Sequence, residues 1–266
     1  MRLALHLSLA LLLACAGCSA APGVGPSEST MTQQPTATPA APPAGLSMER
    51  VTDARSLTES HSSVLDDASY TVDLRRVVRY ENGTVLSRTN VTHRVGANGR
   101  AWYQTRADGT RPLFLGGSTG GVEHWENESV SVSKVTQDGD SVYRRGLHRG
   151  RPASFSTVYS ISSSFDLTTT GRTGGGAETR YHLTSAEPTE TRAFGIGREP
   201  ARNATLTAAV DGDGVLRHYE LRYKTVFRNE TLQVTQTMRV SDIGETTVPR
   251  PEWVDTALDE TRDRVR

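Results

Sequence analysis

The sequence predicts an α+β fold, a large curved antiparallel sheet of half-barrel character with two or three helices packed on it. Three observations predict it. A stripe of apolar residues at helical spacing opens the folded part of the chain. Beyond it, period-two alternation dominates, apolar against Thr, Gln and Arg, which marks strands with one solvated face. Turn signals such as Asn82-Gly83 join successive runs at short range, so sequence neighbours pair antiparallel. A sheet with this many strands curls rather than staying flat.

The helical stripe is Ala54, Leu57, His61, Val64, Leu65 and Ala68, behind Thr52 or Asp53 as N-cap. His61 stands inside the stripe. A histidine there acts as ligand or acid–base group, or packs on the sheet with one nitrogen bonded to backbone; the packed role is the expectation. Tyr70, Val72, Leu74, Val78 and Tyr80 then share one face of a strand, interrupted by Arg76. Asn82-Gly83 turns the chain into a return strand over Val85–Val95, with Val91, His93 and Val95 on one side. Further strands are expected over 100–105, 122–125, 129–135 and 141–144. Residues 155–165 fit both helical spacing and alternation, and Pro152, suited to a first helical turn, selects a short helix. Residues 171–176 read as a glycine-rich loop, and Thr179, Tyr181 and Leu183 as the next strand.

The last third is the most regular. Ala204, Leu206, Ala208 and Val210 alternate up to the turn Asp211-Gly212-Asp213-Gly214. Val215, Tyr219, Leu221, Tyr223 and Phe227 alternate beyond it, with Arg217 out of place among them. A turn at Arg228-Asn229-Glu230 leads into Leu232, Val234, Met238 and Val240, opposed by Thr, Gln and Arg. Pro249 to Trp253 opens a short final helix ending near Arg262.

Composition narrows the class. The 266 residues hold 30 Lys+Arg and 30 Asp+Glu, a net charge of +0, which excludes a nucleic-acid binder working by bulk charge. Hydrophobic residues at 35% support one core of modest density, with part of the chain outside it. The 2 cysteines, Cys15 and Cys18, precede the folded part, so neither a disulfide framework nor a cysteine zinc site is expected there.

The amino terminus carries the sharpest signal. Arg2 precedes an apolar run over residues 3–14, broken by His6 and Ser8. The run is too short for a permanent bilayer span, which takes about 20 residues, and fits the hydrophobic region of a secretory signal. It ends in Leu12-Leu13-Ala14-Cys15-Ala16-Gly17-Cys18, which resembles a lipoprotein signal, in which small residues precede a cysteine that receives a lipid. Cys18, after Ala16-Gly17, is the expected lipidation site. Cys15, after Leu12-Leu13-Ala14, is the alternative, and simple cleavage near Ala20 a third reading. Residues 19–45 are rich in Pro, Ala, Ser, Thr, Gly and Gln, with Glu28 their single charge, and read as a disordered tether. The expected organisation is a signal over 1–17, a lipid-anchored tether over 18–50 and a folded domain over 51–263.

Catalytic and metal motifs mostly fail. Ser131-Val132-Ser133-Lys134 spells S-x-x-K, but on a strand Ser131 and Lys134 face opposite ways. Asp211 to Gly214 lacks the spacing and closing Glu of a calcium loop and reads as a turn. Gly116 to Gly121 lacks the Lys of a phosphate loop and reads as a flexible loop. The histidines show no i,i+4 pair, although His93 and His124 have freedom to meet in space. No cofactor, metal or catalytic residue is therefore assigned. Asn82, Asn127 and Asn229 are sequons at expected turns and candidate glycosylation sites, and Asn90 and Asn203 are further sequons.

Leu57…His61…Leu65-Asp66-Asp67-Ala68-Ser69-Tyr70-Thr71, the turn Val210-Asp211…Asp213-Gly214…Leu216 and Pro251…Trp253 together resemble an uncharacterised family of haloarchaeal lipoproteins. The layout is also similar to half-barrel lipoprotein carriers and mycobacterial lipid-binding lipoproteins. The resemblance covers roughly residues 51–262. It implies an extracytoplasmic protein on the outer face of the cytoplasmic membrane, with an apolar or amphipathic ligand held in the curved sheet and no catalytic residue. Tyr70, Val72, Leu74, Trp102, Tyr223, Phe227 and Met238 are the candidate ligand-lining residues, ordinary core being their other role. A surface protein with a packed sheet and no cavity is the second reading, and a hydrolase the third.

Overall fold

The computed structural model describes residues 41–113, 118–146, 152–175, 178–186, 188 and 200–262. The expected signal segment, Cys15, Cys18 and most of the expected tether lie outside the described residues. The chain divides into Met1–Thr38 and Pro39–Arg266, and the second unit holds every helix and strand described.

Helix α1 runs over Ala54–Asp66. Its N-cap is Asp53, whose carboxylate accepts from the amides of Arg55 at 2.9 Å and Ser56 at 3.3 Å. The hydroxyl of Ser56 donates to the same carboxylate and, with the two amides, lowers the Asp53 pKa from its ordinary value. Strands β1 (Tyr70–Tyr80), β2 (Val85–Val95), β3 (Ala101–Asp108), β4 (Gly120–Glu126), β5 (Ser131–Gln137) and β6 (Asp140–Arg145) come next as a meander. Helix α2 (Phe155–Ser163) precedes β7 (Thr168–Thr173), β8 (Arg180–Ser185), β9 (Arg202–Asp211), β10 (Leu216–Phe227), β11 (Glu230–Ser241) and helix α3 (Trp253–Glu260).

All these strands form one antiparallel sheet of 11 strands in the order β6-β5-β4-β3-β2-β1-β11-β10-β9-β8-β7. The sheet is curved and does not close, β6 and β7 being its two edges. The first and last long strands, β1 and β11, meet at its centre with Leu74 opposite Met238 and Val78 opposite Val234. Side chains alternate between two faces, and the register shows which residues share each. On one face α1 and α2 pack through Leu57, Leu65, Val158 and Ile161 onto Val72, Val78, Leu206, Tyr219, Leu221 and Val234. On the other, α3 packs Val254 and Ala257 onto Trp125 and Val132.

Several expectations change. The fold is engaged before residue 51: Leu46 is buried in the core, and the amides of Thr52 and Asp53 donate to the Gly45 carbonyl. Pro152 stands ahead of the Ser154 N-cap, outside α2. Residues 171–173 belong to β7, an edge strand without an apolar face, recruited by pairing with β8. Gly120 and Gly121 also belong to a strand, β4, rather than to a loop. A β-carbon at Gly120 would lie 2.2 Å from the Thr136 carbonyl oxygen, and one at Gly121 2.5 Å from that of Thr105. Those positions are glycine because neighbouring backbone passes where a side chain would start. The register shift between Leu216 and His218 resolves the misplaced Arg217. It lets Val215, Leu216 and Tyr219 all be buried.

Candidate ligand-binding face

The α1–α2 face of β1 is not uniformly packed. Val72 and Val78 are buried, but Leu74 and Arg76 between them are half-buried. Arg76, the charge that interrupts the apolar row, stands opposite Gln236 on β11 and Thr89 on β2. Its Nη2 donates to the Tyr223 hydroxyl at 2.9 Å. Gln236 donates in turn to the Tyr219 hydroxyl at 2.6 Å. Burial raises the Tyr223 phenol above its ordinary pKa and pushes Tyr219 up to about 12, so both stay protonated and neutral. No carboxylate pairs with Arg76 among the described residues, and its Nε is buried without a hydrogen-bond partner. A guanidinium so placed retains donors for an anion.

The candidate lining residues divide into three groups. Tyr70, Val72, Tyr223 and Met238 belong to the helix-covered core, with Val72 and Met238 at 0% exposure, and Phe227 packs at its margin. Leu74 lies beside Arg76. Trp102 faces the opposite way: Thr71, Arg94, Trp102, Trp125 and Val132 are successive register partners on the α3 face. There Trp102 lines a depression of about 260 Å³ with Arg94, Glu123, Pro249 and Pro251. The guanidinium of Arg94 sits 5.4 Å from the Trp102 ring centroid. The sheet therefore does not bring Trp102 together with the other candidates.

His61 is fixed at both ends of its ring. The Leu216 amide donates to Nδ1 at 3.1 Å, and Nε2 lies 3.1 Å from the Ala153 carbonyl. An amide only donates and a carbonyl only accepts, so the proton sits on Nε2 and the ring is neutral. Its pKa is lowered, chiefly by burial, with the Ala153 bond opposing. The expected structural role holds with a second backbone bond added. His61 joins α1, the approach to α2 and the start of β10, and both its nitrogens are occupied.

The sequence motifs did not disclose a chain of polar groups on β4 and β5. His124 and Ser133 are direct register partners, with Nδ1 and Oγ 2.8 Å apart. Nε2 of His124 lies 3.1 Å from Glu126 Oε2. The residue types are those of a nucleophilic triad. Ser133, however, has 0% exposure, so no substrate carbonyl reaches its hydroxyl in this arrangement. The contacts satisfy buried polar atoms. Only pairing across strands, invisible to motif spacing, places these residues together.

Other sites resolve simply. The Asp211 carboxylate accepts from the amides of Asp213 and Val215 and from Arg217, which holds a turn and uses its oxygens. His93 and His124 both flank Tyr103 in register rather than meeting. Among the described residues no group of three or more His, Cys, Asp or Glu is placed to hold a metal ion. Asn82 and Asn229 are exposed at turns, and Asn127 is half-buried with its side-chain oxygen accepting from the amides of Ser129 and Val130.

No match to the sequence was found among curated proteins. Solved structures similar to this one include LprF from Mycobacterium bovis, at 12% identity and a TM-score of 0.39, covering 76% of this chain and 99% of that chain. The Mycobacterium tuberculosis lipoprotein LppX is similar at 13% identity and a TM-score of 0.38, over 73% of this chain and 97% of that one. A LolA superfamily protein from Nitrosomonas europaea is similar at 10% identity and a TM-score of 0.26, over 74% and 94%. At these scores none lends a function to this chain. A family match covers residues 3–257.

Proposed function

We propose a function for a chain that belongs to DUF7537, a family of unknown function, and draw it from the chain's own geometry. It is an extracytoplasmic lipoprotein, anchored through Cys18, whose sheet binds an amphipathic ligand without catalysis. The observation that carries the ligand is Arg76. A cation set in an apolar row, without a carboxylate among the described residues, costs stability unless something anionic meets it. Leu74 beside it offers an apolar contact, so the complementary molecule has an anionic group and an apolar part. The anchor rests on Ala16-Gly17-Cys18 and the tether behind it.

Native mass spectrometry of the protein extracted from its own membrane tests this. The wild type is expected to retain an anionic lipid. Arg76→Leu should lose it while melting at the same or a higher temperature, because an unpaired charge has been replaced by apolar bulk. An undiminished adduct in the variant would sink the assignment. A ligand-free surface scaffold is the second reading, favoured by the complete burial of Val72 and Met238. It predicts a bare protein from the start.

A further inference from the structure

Helix α2 exposes two aromatic rings among serines on its outward side. Val158 and Ile161 are buried in the core, yet Phe155 at 38% and Tyr159 at 41% exposure face outward, one turn apart. Their rings stack with centroids 5.9 Å apart and planes inclined by 13°. No charged residue occurs from Pro152 through Phe165, in a chain that is 23% charged. A helix whose outer face meets only water ordinarily carries charge there. Large aromatics on an uncharged helix instead suit the boundary between water and lipid, where rings settle at headgroup depth.

Gly45 enters the fold against the start of α1, and the residues that follow it pair with the segment after α2. The Val51 amide donates to the Leu167 carbonyl at 2.9 Å, and the Thr169 amide to the Glu49 carbonyl at 2.7 Å. Residues 47–51 are thus bonded to the segment directly after α2, and Met48 there is 54% exposed. If the chain from Cys18 to residue 45 is the expected tether, its r.m.s. reach is on the order of 30 Å.

We propose that the exposed face of α2, through Phe155 and Tyr159, docks on the lipid surface to which the tether is anchored. This rests on the anchoring half of the function proposed above and not on the ligand. Docking sets the orientation of the domain on that surface.

The test uses full-length lipidated protein in vesicles of equal parts phosphatidylcholine and phosphatidylglycerol, with acyl chains brominated near the headgroup. Phe155→Trp provides the reporter and Val142→Trp, at an exposed position of edge strand β6, the control. Quenching of the added Trp at 155 should exceed that at 142 by at least about twofold. Equal quenching in protein that floats with the vesicles overturns the docking and leaves the anchor standing. If a dimer accompanies that equal quenching, the docking is likewise overturned and the face belongs to a second copy. Protein that fails to float overturns the anchor and the docking together.

Discussion

At the scale of single residues, His61 shows how burial and hydrogen bonding combine. Both ring nitrogens are committed to backbone, and only the neutral Nε2–H tautomer fits them. Protonating Nδ1 would set an N–H against the Leu216 amide. The folded-state pKa is depressed, so the native state binds fewer protons here than the unfolded chain, whose imidazole titrates near 6.5. The contribution of this residue is therefore fully present above about pH 6.5 and lost as pH falls through the lower folded value. The melting temperature of the wild type should fall as pH drops below about 6.5. His61→Gln should start lower and remain flat across the same interval. Parallel curves for the two proteins in a thermal-melt series would refute this role.

At the scale of elements, β4 depends on what its strand neighbours leave free. Its glycines are positions where the Thr136 and Thr105 carbonyls approach too closely for a side chain. A Gly120→Val substitution has the higher strand propensity by residue type, and propensity alone predicts stabilisation. The 2.2 Å approach to the Thr136 oxygen predicts the reverse, because backbone must move. The expected loss is about 1–3 kcal/mol, with faster amide exchange concentrated in β4, β5 and β6. Unchanged exchange there would show that the strands tolerate the side chain. The alternating runs of β1, β2, β10 and β11 were legible in sequence because they pair over long stretches with one packed face. Strand β7 was not: Thr168–Thr173 has no apolar row and becomes a strand by bonding to β8.

The whole molecule combines a folded unit with an amino-terminal segment that, in the lipoprotein reading, determines where it works. On that reading Cys18→Ala removes the acceptor for the lipid. The variant should appear in the medium or accumulate as unprocessed precursor, while Cys15→Ala remains membrane-bound and processed. Fractionation and mass measurement of the mature amino terminus distinguish the two. Full membrane retention and normal processing of Cys18→Ala would remove the basis for the anchor, and the reverse pattern would move it to Cys15.

The sequence by itself determined the α+β class, α1 and the order of the principal strands, because these depend on periodicity and local turn chemistry. It also determined that Arg76 interrupts an apolar row and that His61 sits inside a helix stripe. What those residues meet was decided by tertiary structure. The Tyr223 hydroxyl reaches Arg76 through two strand pairings, and Leu216 reaches His61 from 155 positions away. Likewise His124 finds Ser133 through register, and Trp102 leaves the other candidates for the α3 face because alternation carried across β1, β2 and β3 turns it there. Local pattern fixes which side of a strand a residue takes relative to its own neighbours. Which partners lie on that side depends on the pairing of strands distant in sequence, and no local pattern contains that information.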